Sequence, residues 1–312
     1  MHEHQQLYTV DEDVARELTA RTADGAPGPV LVHTIRGFVD AGAAGQGAAE
    51  HLTGRFAAQR LATFDADLLV DYRSRRPTMT FSSTHWSDYD QPALVLDVVR
   101  DGEDVPFLLL HGVEPDVQWE RFVRAVTEVV ERFAVPLTVG VHGIPMGVPH
   151  TRPLGLTAHA TRAELVEEHT SWFGTVQVPA SVGALLEYRL GEGGHDAMGF
   201  AVHVPHYLAQ SAFPRASQVA LEHVERATGL ELDTAGLDEA ARLAALEVDR
   251  QVEASEDVAA VVQALEQQYD SFARAVGRTS LLAETSELPT ADELGEQFER
   301  FLAQQGGDGP GL

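Results

Sequence analysis

Pro29-Val30-Leu31-Val32-His33-Thr34-Ile35 is the stretch on which the fold turns. A short, nearly unbroken apolar run of this kind reads as a strand buried on both faces. After Arg36 comes Gly37 to Gly47, rich in small residues, and then Ala48 to Phe56 with helical character. Strand, glycine-rich turn and helix together predict the opening of an α/β unit. Outward from it, Leu68 to Tyr72 and Thr78 to Phe81 read as short strands. Leu94 to Val99 and Phe107 to His111 flank the turn Arg100-Asp101-Gly102-Glu103 as a hairpin. Trp119, Phe122, Val123, Val126, Val129, Val130 and Phe133 recur at three- and four-residue spacing and predict a helix, with Pro115 and Asp116 at its start. Leu137 to Val141, Thr175 to Val178 and Phe200 to Val204 read as strands. Helices are expected from the Ser181 turn to Leu190 and around Ala216 to Thr228. The alternation predicts an α/β fold with a mixed, largely parallel sheet flanked by helices.

Beyond about residue 232 the pattern is purely helical. Leu237, Ala241, Ala244, Val248 and Val252 form one stripe; Val258, Val262, Leu265, Tyr269, Phe272 and Val276 form another. They predict a C-terminal helical hairpin, with Ser255 as the cap of its second arm. It could pack on its own α/β domain or on another subunit. The expected organisation is an α/β domain over 1–232, the hairpin over 233–278, and an acidic, largely flexible tail over 279–312, with a short helix from Ala291 to Leu302.

The chain has 312 residues and a 44% hydrophobic fraction, enough for a sizeable core. Acidic residues number 48 and basic ones 22, for a net charge of −26. Such a surface repels phosphate backbones and anionic lipid, so no nucleic-acid or membrane partner is expected. Every basic residue is arginine. Without lysine there is no Schiff base and no P-loop lysine; without cysteine there is no thiolate nucleophile, sulfur-ligated zinc or disulfide. Met1-His2-Glu3-His4-Gln5-Gln6 lacks the basic and apolar regions of a secretory signal, and no apolar run approaches the roughly 20 residues that span a bilayer. A cytoplasmic protein is the simplest expectation.

Several segments carry groups that could do chemistry. Gly37-Phe38-Val39-Asp40-Ala41-Gly42-Ala43-Ala44-Gly45-Gln46-Gly47 lacks dinucleotide-loop spacing, and Asp40 puts a negative charge at the helix entrance, where it suits a cap better than a phosphate site. Asp71-Tyr72-Arg73-Ser74-Arg75-Arg76-Pro77 is the one dense basic cluster; its guanidinium forks suit a carboxylate or phosphate, or pairing with acids of this chain or another copy. Gly143-Ile144-Pro145-Met146-Gly147-Val148-Pro149-His150-Thr151-Arg152-Pro153 follows a strand, where α/β proteins place ligands, and presents His150 and Arg152 beside His142. A histidine there could move a proton and an arginine hold an anion. His203-Val204-Pro205-His206 lacks zinc-protease geometry because of the proline, so no metal is expected. Ser181 lacks the first glycine of a nucleophile elbow and suits a helix cap. The candidate pocket is therefore Asp40, Arg76, His142, His150 and Arg152, with no cofactor and no complete catalytic set.

Taken in order, these segments resemble the proteasome assembly chaperone family in its bacterial, actinobacterial-type branch. The resemblance rests on Gly37 to Gly42, Asp71 to Pro77, Gly112-Val113-Glu114-Pro115-Asp116, Gly143 to Met146 with Pro149 to Pro153, and His203-Val204-Pro205-His206-Tyr207. It implies a phosphorylase/hydrolase-like α/β sandwich and a homo-oligomer, trimers included. Eukaryotic relatives are heterodimeric assembly chaperones for the proteasome α ring, whereas bacterial members have no settled activity and some have been labelled ATP-dependent carboxylate–amine ligases. Gly309-Pro310-Gly311-Leu312 lacks the hydrophobic-Tyr-any-residue tail of docking relatives. The expectation is an oligomeric binding or assembly protein with a protein partner and no established reaction. The alternatives are a small-molecule hydrolase or phosphorylase working at the strand ends, or an ATP-dependent ligase.

Overall fold

In the computed structural model, residues 7–23, 25–169 and 174–278 are described. The predicted tail, with its helix at Ala291 to Leu302, lies outside them. The central strand β2 (Leu31–Arg36) alternates Leu31 into one core and Val32 into the other, both fully buried, as a strand covered on two faces must. Beside it on one side runs β7 (Pro106–Val113) and on the other β8 (Thr138–Met146) and β10 (Ala197–Pro205), all parallel to it. Antiparallel strands complete both flanks. β6 (Leu94–Arg100), β3 (Ala58–Phe64) and β1 (Tyr8–Val10) lie beyond β7, and β9 (Leu156–Ala160) lies beyond β10. The sheet order is β1-β3-β6-β7-β2-β8-β10-β9, a mixed sheet with a parallel centre. β6 and β7 form the hairpin expected around Asp101.

Helices cover both faces. α1 (Glu12–Ala23), α4 (Trp119–Arg132) and α5 (Val182–Glu192) close one core; α2 (Ala44–Arg55) and α6 (Pro214–Thr228) close the other. α4 buries Phe122, Val123, Val126, Val129 and Val130, as the spacing predicts. It starts at Trp119 behind Gln118, whose φ is 62°, so Pro115 and Asp116 belong to the preceding loop rather than to its first turn. Leu68 to Tyr72 is not a strand. A one-turn helix α3 (Ala66–Leu69) forms there, capped by the Asp65 carboxylate, which accepts from the Asp67 amide. Thr175 to Val178 is exposed and pairs with no strand.

Two features matter for function. β2 pairs with β7 over all six of its residues but with β8 only over Leu31 to His33. Above His33 the strands part, and the turn Ala41–Ala43 enters the gap so closely that a Cβ on Gly143 would lie 2.0 Å from the Ala41 carbonyl oxygen. The second is a separate two-stranded ribbon, β4 (Met79–Ser82) and β5 (His85–Tyr89), standing outside the main sheet. At the C-terminal end α7 (Asp238–Glu253) packs on α6, and α8 (Glu256–Arg278) packs back on α7. The helical hairpin thus sits on its own chain. No helix among the described residues is long and apolar enough to cross a membrane.

Candidate functional site

Asp40 sits between the end of β2 and the start of α2. Its Oδ1 accepts from the amides of Gly45 (2.9 Å) and Gly143 (3.0 Å), and its Oδ2 from that of Gln46 (3.0 Å). The carboxylate thereby takes up helix-entrance amides that an anion would need and ties them to β8. The small residues of this segment serve close packing. A Cβ on Gly47 would meet the Ser217 hydroxyl at 2.4 Å, and one on Gly42, where φ is 67°, would press on Val204 and Phe213. A phosphate cradle is not formed.

The 149–153 loop holds the helical hairpin. The His150 side chain is only 4% exposed; its Nδ1 lies 2.7 Å from the Tyr207 hydroxyl and its Nε2 3.1 Å from Asp249 on α7. Burial pushes the Tyr207 hydroxyl up to about 12. Arg152 donates to both carboxylate oxygens of Asp270 at 2.9 Å and to Glu266 at 3.2 Å, both on α8. Tyr269 donates to the Pro153 carbonyl at 3.0 Å. These residues fit one another as a clasp, with guanidinium and carboxylate geometry matched.

His142 belongs to a histidine layer under α5 in which His33 is buried and His142 and His159 are partly exposed. The register places His33, Gly140, Gly199 and His159 in one row across β2, β8, β10 and β9. The two glycines make a trough: a Cβ on Gly140 would lie 2.5 Å from the His33 ring, and one on Gly199 would lie 2.3 Å from the His159 ring. His142 stands above, its ring 6.4 Å from that of His159, which meets Glu187 of α5 at 2.8 Å. Burial, with neighbouring imidazoles adding to it, pushes His33 and His142 down to about 4. Burial alone does the same to His203, whose Nε2 lies 2.8 Å from the Thr157 hydroxyl. Ser181 accepts from the Ala184 amide at 3.1 Å and caps α5. No group of three or more acidic or histidine side chains among the described residues is placed to hold a metal ion.

Arg76 lies elsewhere. It lines a cleft of about 610 Å³ at the carboxyl ends of β2 and β7, between the base of the β4–β5 ribbon and residues 36–38. Neither Asp40, His142, His150 nor Arg152 lines it. The five residues expected in one pocket are therefore distributed over an inter-strand tie, a helix clasp, a histidine layer and a cleft. Arg36 and Glu114, which do line the cleft with Arg76, are not among the expected site residues, although Glu114 lies in the Gly112 to Asp116 segment of the resemblance. Beside the cleft, one face of the ribbon presents Met79, Phe81, Trp86 and Tyr89, between 44% and 63% exposed, with Phe81 and Trp86 packed as a cross-strand pair at 5.0 Å. Phe38, nearby on the cleft rim, is 77% exposed. The apolar alternation at 79 and 81 was visible in sequence; its exposure was not.

The PAC2 family's sequence model matches residues 34–252. Among solved structures, a Mycobacterium tuberculosis protein of unknown function is similar at 48% identity and a TM-score of 0.79, over 80% of this chain and 88% of that one. A Corynebacterium glutamicum protein of unknown function is similar at 38% identity and a TM-score of 0.75, over 79% and 91%. A Mycobacterium tuberculosis proteasome-assembly chaperone homologue is similar at 25% identity and a TM-score of 0.68, over 75% and 99%. No curated protein matches the chain. With a match running from the middle of β2 into α7, and with the strand-end loops that carried the resemblance all inside it, the chain belongs to the PAC2 family.

Proposed function

We propose that this protein is a non-catalytic assembly protein that works as a homo-oligomer, a trimer being the stoichiometry the family resemblance suggests, with the β4–β5 ribbon as its main contact. The observation that carries the reading is the exposed apolar ribbon face. An isolated two-stranded hairpin is marginal in water, and contiguous exposed aromatics mark interaction surfaces. A second copy of this chain is the partner that fits. Residues 71–92 balance Arg73, Arg75 and Arg76 against Asp71, Asp88 and Asp90 in a chain whose net charge is −26. Another acidic copy meets least repulsion there. The chaperone homologue among the relatives supports an assembly role. Of the side chains that a hydrolase or phosphorylase would recruit, Asp40, His150 and Arg152 are engaged with partners of this chain, which also favours binding over reaction.

Light scattering on the eluted protein tests this. The wild type should elute as a defined multiple of the chain mass, and the double variant Phe81→Ser, Trp86→Ser should shift to a lower mass with an unchanged circular dichroism spectrum. A monomeric wild type, or an assembly indifferent to the double substitution, overturns the proposal.

A further inference from the structure

The cleft beside the ribbon has a charge pattern that self-association does not explain. We infer that it binds a small organic molecule carrying an anionic group, carboxylate or phosphate, against Arg36 and Arg76, and a hydrogen-bond donor against Glu114. The cleft lies outside the carboxyl ends of parallel strands, where α/β sheets hold ligands. Its volume of about 610 Å³ falls within the range of small-molecule sites.

Acids outnumber arginines by 48 to 22, so carboxylate partners for a guanidinium are plentiful in this chain. Among the described residues, neither Arg36 nor Arg76 forms an ion pair, and both line this one cleft. Arg75, which also lines the cleft, is committed to Asp116 at 2.6 Å. That pair also fixes the loop. Asp116 accepts from the Asp71 amide, and Asp71 accepts from the amides of Arg73, Ser74 and Arg75. The backbone before Arg76 is thus held in place before any ligand arrives, which lowers the cost of binding.

The floor has the opposite charge. Glu114 is 5% exposed, and its Oε1 accepts from the Val182 amide at 2.7 Å. Its other oxygen faces Gly37 so closely that a Cβ there would lie 2.6 Å from it, which explains a glycine at the cleft's edge. Asp90 adds a second acid to the lining. A bare anion would meet these carboxylates as well as the arginines. A molecule with an anionic end and an ammonium or hydroxyl a few ångströms away satisfies both signs, while Val70, Val113, Pro77 and Pro92 supply apolar wall. Amino acids and hydroxy acids form the carboxylate source of this chemistry, and sugar phosphates the phosphate source.

Thermal-shift and calorimetric titrations of the full chain discriminate the arms: glutamate and citrate for carboxylate, glucose 6-phosphate for phosphate, and inorganic phosphate at matched ionic strength as the control. At least one organic anion should raise Tm saturably by about 2 °C or more, and by more than inorganic phosphate does. Arg36→Ala and Arg76→Ala should each weaken its binding about tenfold. Because both side chains are exposed and form no ion pair among the described residues, each variant should keep its ligand-free Tm. Absence of a saturable shift in both arms overturns the inference. So does a shift that survives the double variant, or one that inorganic phosphate reproduces in full. The readout is ligand linkage rather than assembly mass, so this test and that of the oligomer fail independently.

Discussion

Three backbone amides converge on the carboxylate of Asp40, two from the helix it precedes and one from Gly143, 103 residues away. Charge-assisted bonds of this kind contribute more than neutral ones, so Asp40→Ala should cost about 2–3 kcal/mol in a urea titration. An unchanged midpoint would contradict the structural role. The helix-entrance half of that role was legible in sequence, since an acid before a small-residue helix is a cap pattern. The Gly143 half was not, because nothing local says which strand will lie alongside. His150 and Arg152 show the same limit from the other side. Their loop was correctly placed after a strand, yet their partners Asp249, Glu266 and Asp270 sit on helices whose stripes said only that they pack. Arg36 gave no signal, and Glu114 stood out only inside the Gly112 to Asp116 segment of the resemblance, because only the fold brings these single charges to one cleft.

Strands that are buried on both faces declared themselves, and those at the margins did not. β2, β6, β7, β8 and β10 are apolar runs, whereas the first three residues of β3 are exposed and β9 reads Leu-Thr-Ala-His-Ala, too small and polar to stand out. The two C-terminal helices were legible from their periodicity, and within the chain Arg152 reaches α8. That clasp makes a prediction about one element. Arg152→Ala should raise hydrogen exchange along α8 about tenfold or more, with earlier proteolytic cutting between α7 and α8, while amides of the central strands keep their protection. Arg152→Lys should rescue this only in part, because an ammonium cannot grip both oxygens of Asp270 in a fork. Uniform exchange across the whole molecule would show the clasp to be global instead.

At the scale of the whole molecule, desolvated histidines should make stability fall in acid. His33, His142 and His203 titrate near 4 in the folded state and near 6.5 when unfolded. Between those values the unfolded chain binds more protons, so stability is full above about pH 6.5 and falls as pH drops toward 4. Each contributes a slope of up to about 1.4 kcal/mol per pH unit inside that window. Urea midpoints measured from pH 7.5 to 4 should decline, and His203→Gln should flatten the decline; a midpoint constant over that range would refute the burial argument. The parting of β2 from β8 reaches further than chemistry. Only three residue pairs join the two halves of the sheet, against seven between β6 and β7. In mechanical terms the sheet is nearly cut along that line, with the Asp40 tie and the two Gly42 backbone bonds as rivets and the α2–α6 and α4–α5 pairs bolted across it as splice plates. Drawn apart across its strands, the protein should part first between β2 and β8.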